Sequence, residues 1–146
     1  MSKSTVEIDQ RILSDSAEVA TLLVCQVRLM DDARFPWLLL VPRRHAVELA
    51  DLSALDRTSV IDEIAAASNA IRQVAGSVDK LNVGQLGNLV PQLHIHVVGR
   101  RRGDPAWPGP VWGAGTRVPY FDAERDRLVG LYRQALAENG RRRMGG

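Results

Sequence analysis

From Gln92 to Val97 polar and apolar residues alternate without a break, Gln92, His94 and His96 against Leu93, Ile95 and Val97. Side chains alternate faces along a strand, so this period of two predicts a strand with an apolar back. Its front would carry an amide and two imidazoles. Residues 81–87 predict a partner strand, with glycines that admit a close backbone or a ligand. Residues 88–91 connect the two strands, giving a hairpin over 81–100. Upstream, residues 21–30 are rich in apolar and β-branched side chains, residues 31–34 are polar, and residues 37–41 are continuously apolar up to Pro42. Two such runs around a short polar turn predict a second hairpin, its latter strand central and covered on both faces. Residues 6–20 fit either a short helix or an edge strand.

Two helices complete the pattern. Ser53 and Asp56 fit a capping box, and Val60, Ile61, Ile64, Ala67, Ile71, Val74 and Ala75 then recur at helical spacing until Gly76. Residues 122–139 place Leu128, Leu131, Tyr132, Ala135 and Leu136 on one face and meet Gly140, a natural stop. Between them, residues 104–115 are crowded with proline and glycine and exclude regular structure. Trp107 and Trp112 imply that this segment packs as a rigid loop over a site or a partner subunit.

Composition alters this picture little. The 146 residues suit a single domain, with a core from 1 to 103 and the loop and last helix from 104 to 146 belonging to it. Cys25 is the sole cysteine, which excludes an internal disulfide and a cysteine zinc cluster; its apolar neighbours predict a small buried strand residue. No run nears the ~20 apolar residues of a membrane span, and residues 1–5 lack the apolar stretch of a signal peptide, so a cytoplasmic location is expected. Net charge is +2, but arginines cluster at Arg100, Arg101 and Arg102 and at Arg141, Arg142 and Arg143. Such runs read first as solvated surface and, at the C-terminus, as a disordered tail. The first run follows the histidine strand, which opens the alternative of phosphate recognition. Neither run has interleaved aromatics or a nucleic-acid-binding motif, which argues against a nucleic-acid partner.

The front of the histidine strand admits three readings. One imidazole can attack as a nucleophile while its neighbour stabilises charge. The pair can join His45, the remaining histidine, at a metal, although no carboxylate lies near the strand in sequence. Or the two are hydrogen-bonded histidines with no task.

The segment from Asn82 through Val90, Pro91, Gln92, Leu93, His94, Ile95, His96, Val97 and Val98 to Arg100 resembles the signature of the histidine triad (HIT) superfamily, His-φ-His-φ-His-φ-φ, where φ is apolar. Leu38 to His45, an Asp-Leu pair and a long helix extend the likeness over roughly residues 20–100. The resemblance implies an α+β fold, with a mostly antiparallel five-stranded sheet, one long helix and a C-terminal helix, commonly a homodimer. It implies a hydrolase or nucleotidyltransferase that takes nucleotide-type small molecules without a cofactor or a metal. His94 matches the nucleophile that becomes nucleotidylated at the α-phosphorus, and His96 the histidine that holds a phosphate oxygen. Asn82 matches a phosphate-binding asparagine, with Asn88 beside the phosphate. His45 resembles a fourth histidine behind the triad, and Asp31 falls near a nucleotide-contacting asparagine. A nucleophilic His94 requires its other ring nitrogen to be tied as a donor, to a backbone carbonyl. Gln92 stands at the first triad position, where it can orient a neighbour but cannot carry a proton. That substitution and Leu89, where relatives carry a hydroxyl, open a second reading: a nucleotide-binding module with weak or no turnover.

Overall fold

A computed structural model describes residues 6–145, with side chains through residue 140. Residues 1–5, on which the signal-peptide expectation rests, lie outside the described residues, as do the side chains of Arg141, Arg142 and Arg143. The elements run α1 (Gln10–Asp15), β1 (Ser16–Thr21), β2 (Cys25–Met30), β3 (Trp37–Pro42), a 3-10 turn, α2 (Ala54–Ala75), β4 (Lys80–Gly84), β5 (Ile95–Arg100) and α3 (Asp122–Gly145). The strands form one antiparallel five-stranded sheet in the order β1-β2-β3-β5-β4. This is the α+β architecture expected.

The sheet has two differently covered faces. On one, Val27, Leu29, Leu38, Leu40, Ile95 and Val97 pack with Val60, Ala67, Ala70 and Ile71 of α2 and with Tyr132, Ala135 and Leu136 of α3. Gly99 lets α2 come close, because a Cβ there would lie 2.7 Å from Ile71 Cγ2. On the other face Trp37, Leu39, Val41 and Val98 meet Ile12 of α1 together with Phe35 and Val111. Every residue of β3 is buried, as its continuous apolar run predicts.

Five expectations change. Residues 6–20 hold both a helix and an edge strand, because Asp9 caps α1 by accepting from the Arg11 amide and β1 follows at once. Residues 21–30 are not one strand: the chain turns at Leu22, Leu23 and Val24, where the buried Glu63 carboxylate accepts from the amides of Val24 and Cys25 at 2.9–3.2 Å. The Ser53 hydroxyl accepts from the Asp56 amide as a cap should, yet the Asp56 carboxylate accepts from Arg44 at 2.8 Å. On the same helix Ile61, one of the apolar positions at helical spacing, is 63% exposed. Finally, α3 runs through Gly140 to Gly145. A mid-helix glycine costs about 1 kcal/mol relative to alanine, too little to stop a helix flanked by good formers.

Candidate active site

β5 begins at Ile95, three residues later than the alternation implies. The preceding segment is drawn off the sheet by the Leu93 amide, which donates to the Ala46 carbonyl at 3.0 Å. His96 lies inside β5, cross-strand from Leu39 on one side and Gly84 on the other. His94 sits just before the strand, its ring centroid 5.1 Å from that of His96 and the planes inclined at 62°. Both side chains are buried, and both line a cavity of about 440 Å³. Arg11, Ile12 and Asp15 of α1, Met30, Leu39, residues 86–90 and Trp112 complete its wall.

Hydrogen bonds fix the tautomer of each imidazole. His94 Nδ1 lies 2.7 Å from the Gln92 carbonyl oxygen. A carbonyl can only accept, so Nδ1 carries the proton and Nε2 presents a lone pair. His96 is the reverse case, because the Trp37 indole N–H donates to its Nδ1 at 3.1 Å. An indole can only donate, so the neutral His96 ring carries its proton on Nε2. Burial pushes His96 down to about 3, aided by the neighbouring His94, and it therefore stays neutral through the physiological range. One ring offers a lone pair and the other an N–H, which suits attack beside oxyanion stabilisation.

Aromatic rings hold His96 in place. The Trp37 ring lies 5.7 Å from it and the Trp112 ring 5.4 Å, and the two indoles meet edge to face at 6.5 Å. Trp112 comes from the proline- and glycine-rich loop, which does cover the site. That loop is fastened by Arg34 Nη1 to the Ala114 carbonyl at 2.6 Å and by the Ala33 amide to the Val118 carbonyl at 2.6 Å. Gly84 makes the packing feasible, since a Cβ there would sit 2.8 Å from Trp112 Cη2.

The sequence-derived candidates scatter. His94, His96 and Asn88 line the cavity. Gln92 brings its carbonyl to His94, but its side chain turns away to accept from the Asp9 amide at 2.7 Å and donate to the Glu7 carbonyl at 3.0 Å. His45 lines a different cavity of about 730 Å³ with Arg44, Asp51 and Gln92, so the three histidines do not converge. Among the described residues no three His, Cys, Asp or Glu side chains form a metal cluster. The side chain that bonds the back of His96 is Trp37. Asn82 Oδ1 accepts from Arg100 Nη1 at 2.8 Å, and the Asp31 carboxylate accepts from the Tyr120 amide at 2.8 Å; neither lines the histidine cavity.

Two of the three arginines in the run, Arg100 and Arg101, are structural supports. Arg100 is 1% exposed, paired through both branches with Asp104 at 2.8–2.9 Å and placed between the Phe35 and Trp107 rings. That pairing holds the Asp104 carboxyl down at about 2. Arg101 donates to the Ala75 and Ser77 carbonyls at the end of α2, where a cation is favourable. Cys25 is buried, and burial with the nearby Glu63 pushes its thiol up, which removes it as a nucleophile. Two residues of the site, Arg11 in the cavity wall and Trp37 as the donor to His96, escaped the sequence reading. Trp37 looked like part of an apolar run, and Arg11 lay in a segment of unresolved character.

A family model described as the HIT domain matches residues 11–103. Solved structures of histidine triad proteins are similar over most of the chain. One from Sinorhizobium meliloti 1021 is 40% identical with a TM-score of 0.86, covering 90% of this chain and 98% of that one. One from Bradyrhizobium japonicum is 38% identical, with the same TM-score of 0.86 and the same coverages of 90% and 98%. One from Marinobacter aquaeolei VT8 is 35% identical with a TM-score of 0.88, covering 92% and 98%. Among curated proteins none matches this chain. Sheet order, paired imidazoles and matched residues agree: the chain belongs to the histidine triad (HIT) family.

Proposed function

We propose that the protein is a nucleotidyl hydrolase or transferase that acts at an α-phosphate through a covalent nucleotidyl-His94. The observation that carries this reading is the opposed polarity of the two rings, His94 donating through Nδ1 to the Gln92 carbonyl and His96 accepting at Nδ1 from Trp37. His94 Nε2 forms a bond to the α-phosphorus as the bond to the leaving group breaks and its electron pair departs with that group. His96 Nε2–H donates to a non-bridging oxygen whose charge grows in the transition state. A water or other acceptor then attacks phosphorus, the N–P bond breaks, and its electron pair returns to Nε2. Water at this step loses its proton to solvent and the product is a nucleoside monophosphate. No metal or organic cofactor has a step in this scheme, and a cytoplasmic homodimer is the expected form. Among the described residues no helix is long and apolar enough to cross a membrane.

A second reading, a nucleotide-binding module without turnover, draws on the Gln92 side chain being engaged with residues 7–9 instead of the cavity. Incubation with adenosine 5′-phosphoramidate or a dinucleoside polyphosphate separates the two. Wild type should release AMP and His94→Ala should not; equal release by both would contradict the nucleophile assignment. Wild type that binds AMP and releases none from either substrate would favour the binding module.

A further inference from the structure

The proposed chemistry develops negative charge, and the groups nearest it are uncharged or committed elsewhere. His96 is neutral, and the Gln92 side chain is turned to the N-terminal segment. The Arg100 guanidinium is buried against Asp104 and Asn82. Of the described residues that line the histidine cavity, Asp15 is a carboxylate, ion-paired with Arg117 at 3.1 Å, and Arg11 carries the only guanidinium or ammonium.

Arg11 is held for a task. Its Nε and Nη2 form a fork on the two oxygens of Asp9, at 3.1 Å each, and its Nη1 donates to the Leu89 carbonyl at 2.8 Å. Pairing with Arg11 holds the Asp9 carboxyl below the usual range. A guanidinium has five N–H donors, so one hydrogen on Nη1 and one on Nη2 remain, on a side chain that is 57% exposed. The plane is thus fixed by Asp9 and Leu89 while one N–H on each terminal nitrogen stays available to an anion. The strap that carries it, residues 7–11, is fastened in turn by the two hydrogen bonds of Gln92.

We propose that Arg11 is the phosphate-binding cation of this cavity, and that Gln92 acts through residues 7–9 as its positioning residue. This rests on the nucleotide reading above and narrows it. In the first step the bond from α-phosphorus to the bridging oxygen breaks and the electron pair stays on that oxygen, adding one negative charge to the leaving group. A polyphosphate leaving group is stabilised there by a fixed guanidinium without a proton donor. An amine leaving group needs a proton, which Arg11 does not supply. Arg11 therefore sets a preference for phosphoanhydride substrates over phosphoramidates.

The test compares wild type with Arg11→Gln and Gln92→Ala. Equilibrium binding of adenosine and of diadenosine tetraphosphate is followed by the fluorescence of Trp37 and Trp112, with kcat/KM for diadenosine tetraphosphate and adenosine 5′-phosphoramidate beside it. Arg11→Gln should weaken diadenosine tetraphosphate at least tenfold and leave adenosine within twofold. Its kcat/KM should fall at least tenfold further for the tetraphosphate than for the phosphoramidate. Gln92→Ala should shift both ratios the same way by a smaller factor. Unchanged tetraphosphate binding in Arg11→Gln, or equal losses for the two ligands, would overturn the assignment while leaving His94 turnover intact. Wild type that binds the tetraphosphate but forms no nucleotidyl-histidine would instead overturn the catalytic reading, and the binding comparison for Arg11 would still stand.

Discussion

The two faces of β3 are made of similar residues and have different work. Leu38 and Leu40 point into the layer covered by α2 and α3, where regular helices bury them against Val60, Ala67 and Ile71. Trp37, Leu39 and Val41 point the other way, under a short helix and a proline-rich loop. The helix side is held by apolar area, with Glu63 and Arg133 bonding turn and strand backbone at its margin. The loop side adds directional contacts at the histidines, an indole N–H to His96 and edge-to-face rings. A fold can thus place its stability on one face and hold its chemistry on the other, with one strand common to both.

Perturbations that touch each side separately should make the contrast measurable. The largest effect is expected from acid. His96 is depressed from 6.5 to about 3, so the unfolded chain binds the extra proton between those values. Its contribution to stability is complete above about pH 6.5 and declines as pH falls toward 3, by roughly 1.4 kcal/mol per pH unit. Denaturant melts of wild type and His96→Asn across that window should show the smaller slope in the variant. Leu40→Ala, on the helix side, should cost about 2–5 kcal/mol by the same melts and leave the substrate preference of the folded protein unchanged.

Trp37→Phe keeps an aromatic ring, smaller than the indole, and removes the donor to His96 Nδ1. A buried nitrogen without its partner costs about 1–3 kcal/mol. Freed of its fixed tautomer, His96 should also lower kcat by tenfold or more, with little change in KM. Gly84→Ala should have the smallest effect, about 1–2 kcal/mol from overpacking. It pushes Trp112 off His96, and the shift should be visible in tryptophan fluorescence before it is visible in melting temperature.

The helix side was legible in the sequence because its signals are local and periodic. A capping serine, a run at helical spacing and an unbroken apolar strand each name their own element. The loop side was half legible. Alternation picked out His94 and His96, but it ran on past the end of the strand and so put Gln92 beside them. Only the Leu93 bond to Ala46 and the pull of residues 7–9 on the amide move Gln92 away, and both are long-range. Leu22 and Leu23 hid the first turn because an apolar pair reads as strand; Leu23 is 76% exposed there, with Glu63 serving the turn from another element. Arg100 read as surface because it sits in a like-charged run, whereas Asp104, Phe35 and Trp107 make it a buried support. Family likeness directed attention to His45 as the histidine behind the triad. The donor to His96 is Trp37, which pattern alone files under core.

The central claim is that His94 attacks phosphorus with a lone pair that its bond to the Gln92 carbonyl exposes. Intact-protein mass spectrometry after a rapid quench that avoids acid tests it directly, using diadenosine tetraphosphate in excess. Wild type should gain one adenylyl mass, lost again on treatment with acid, and His94→Ala should gain none. An adduct of the same mass and yield on His94→Ala, or no adduct on wild type that is releasing AMP, would contradict it.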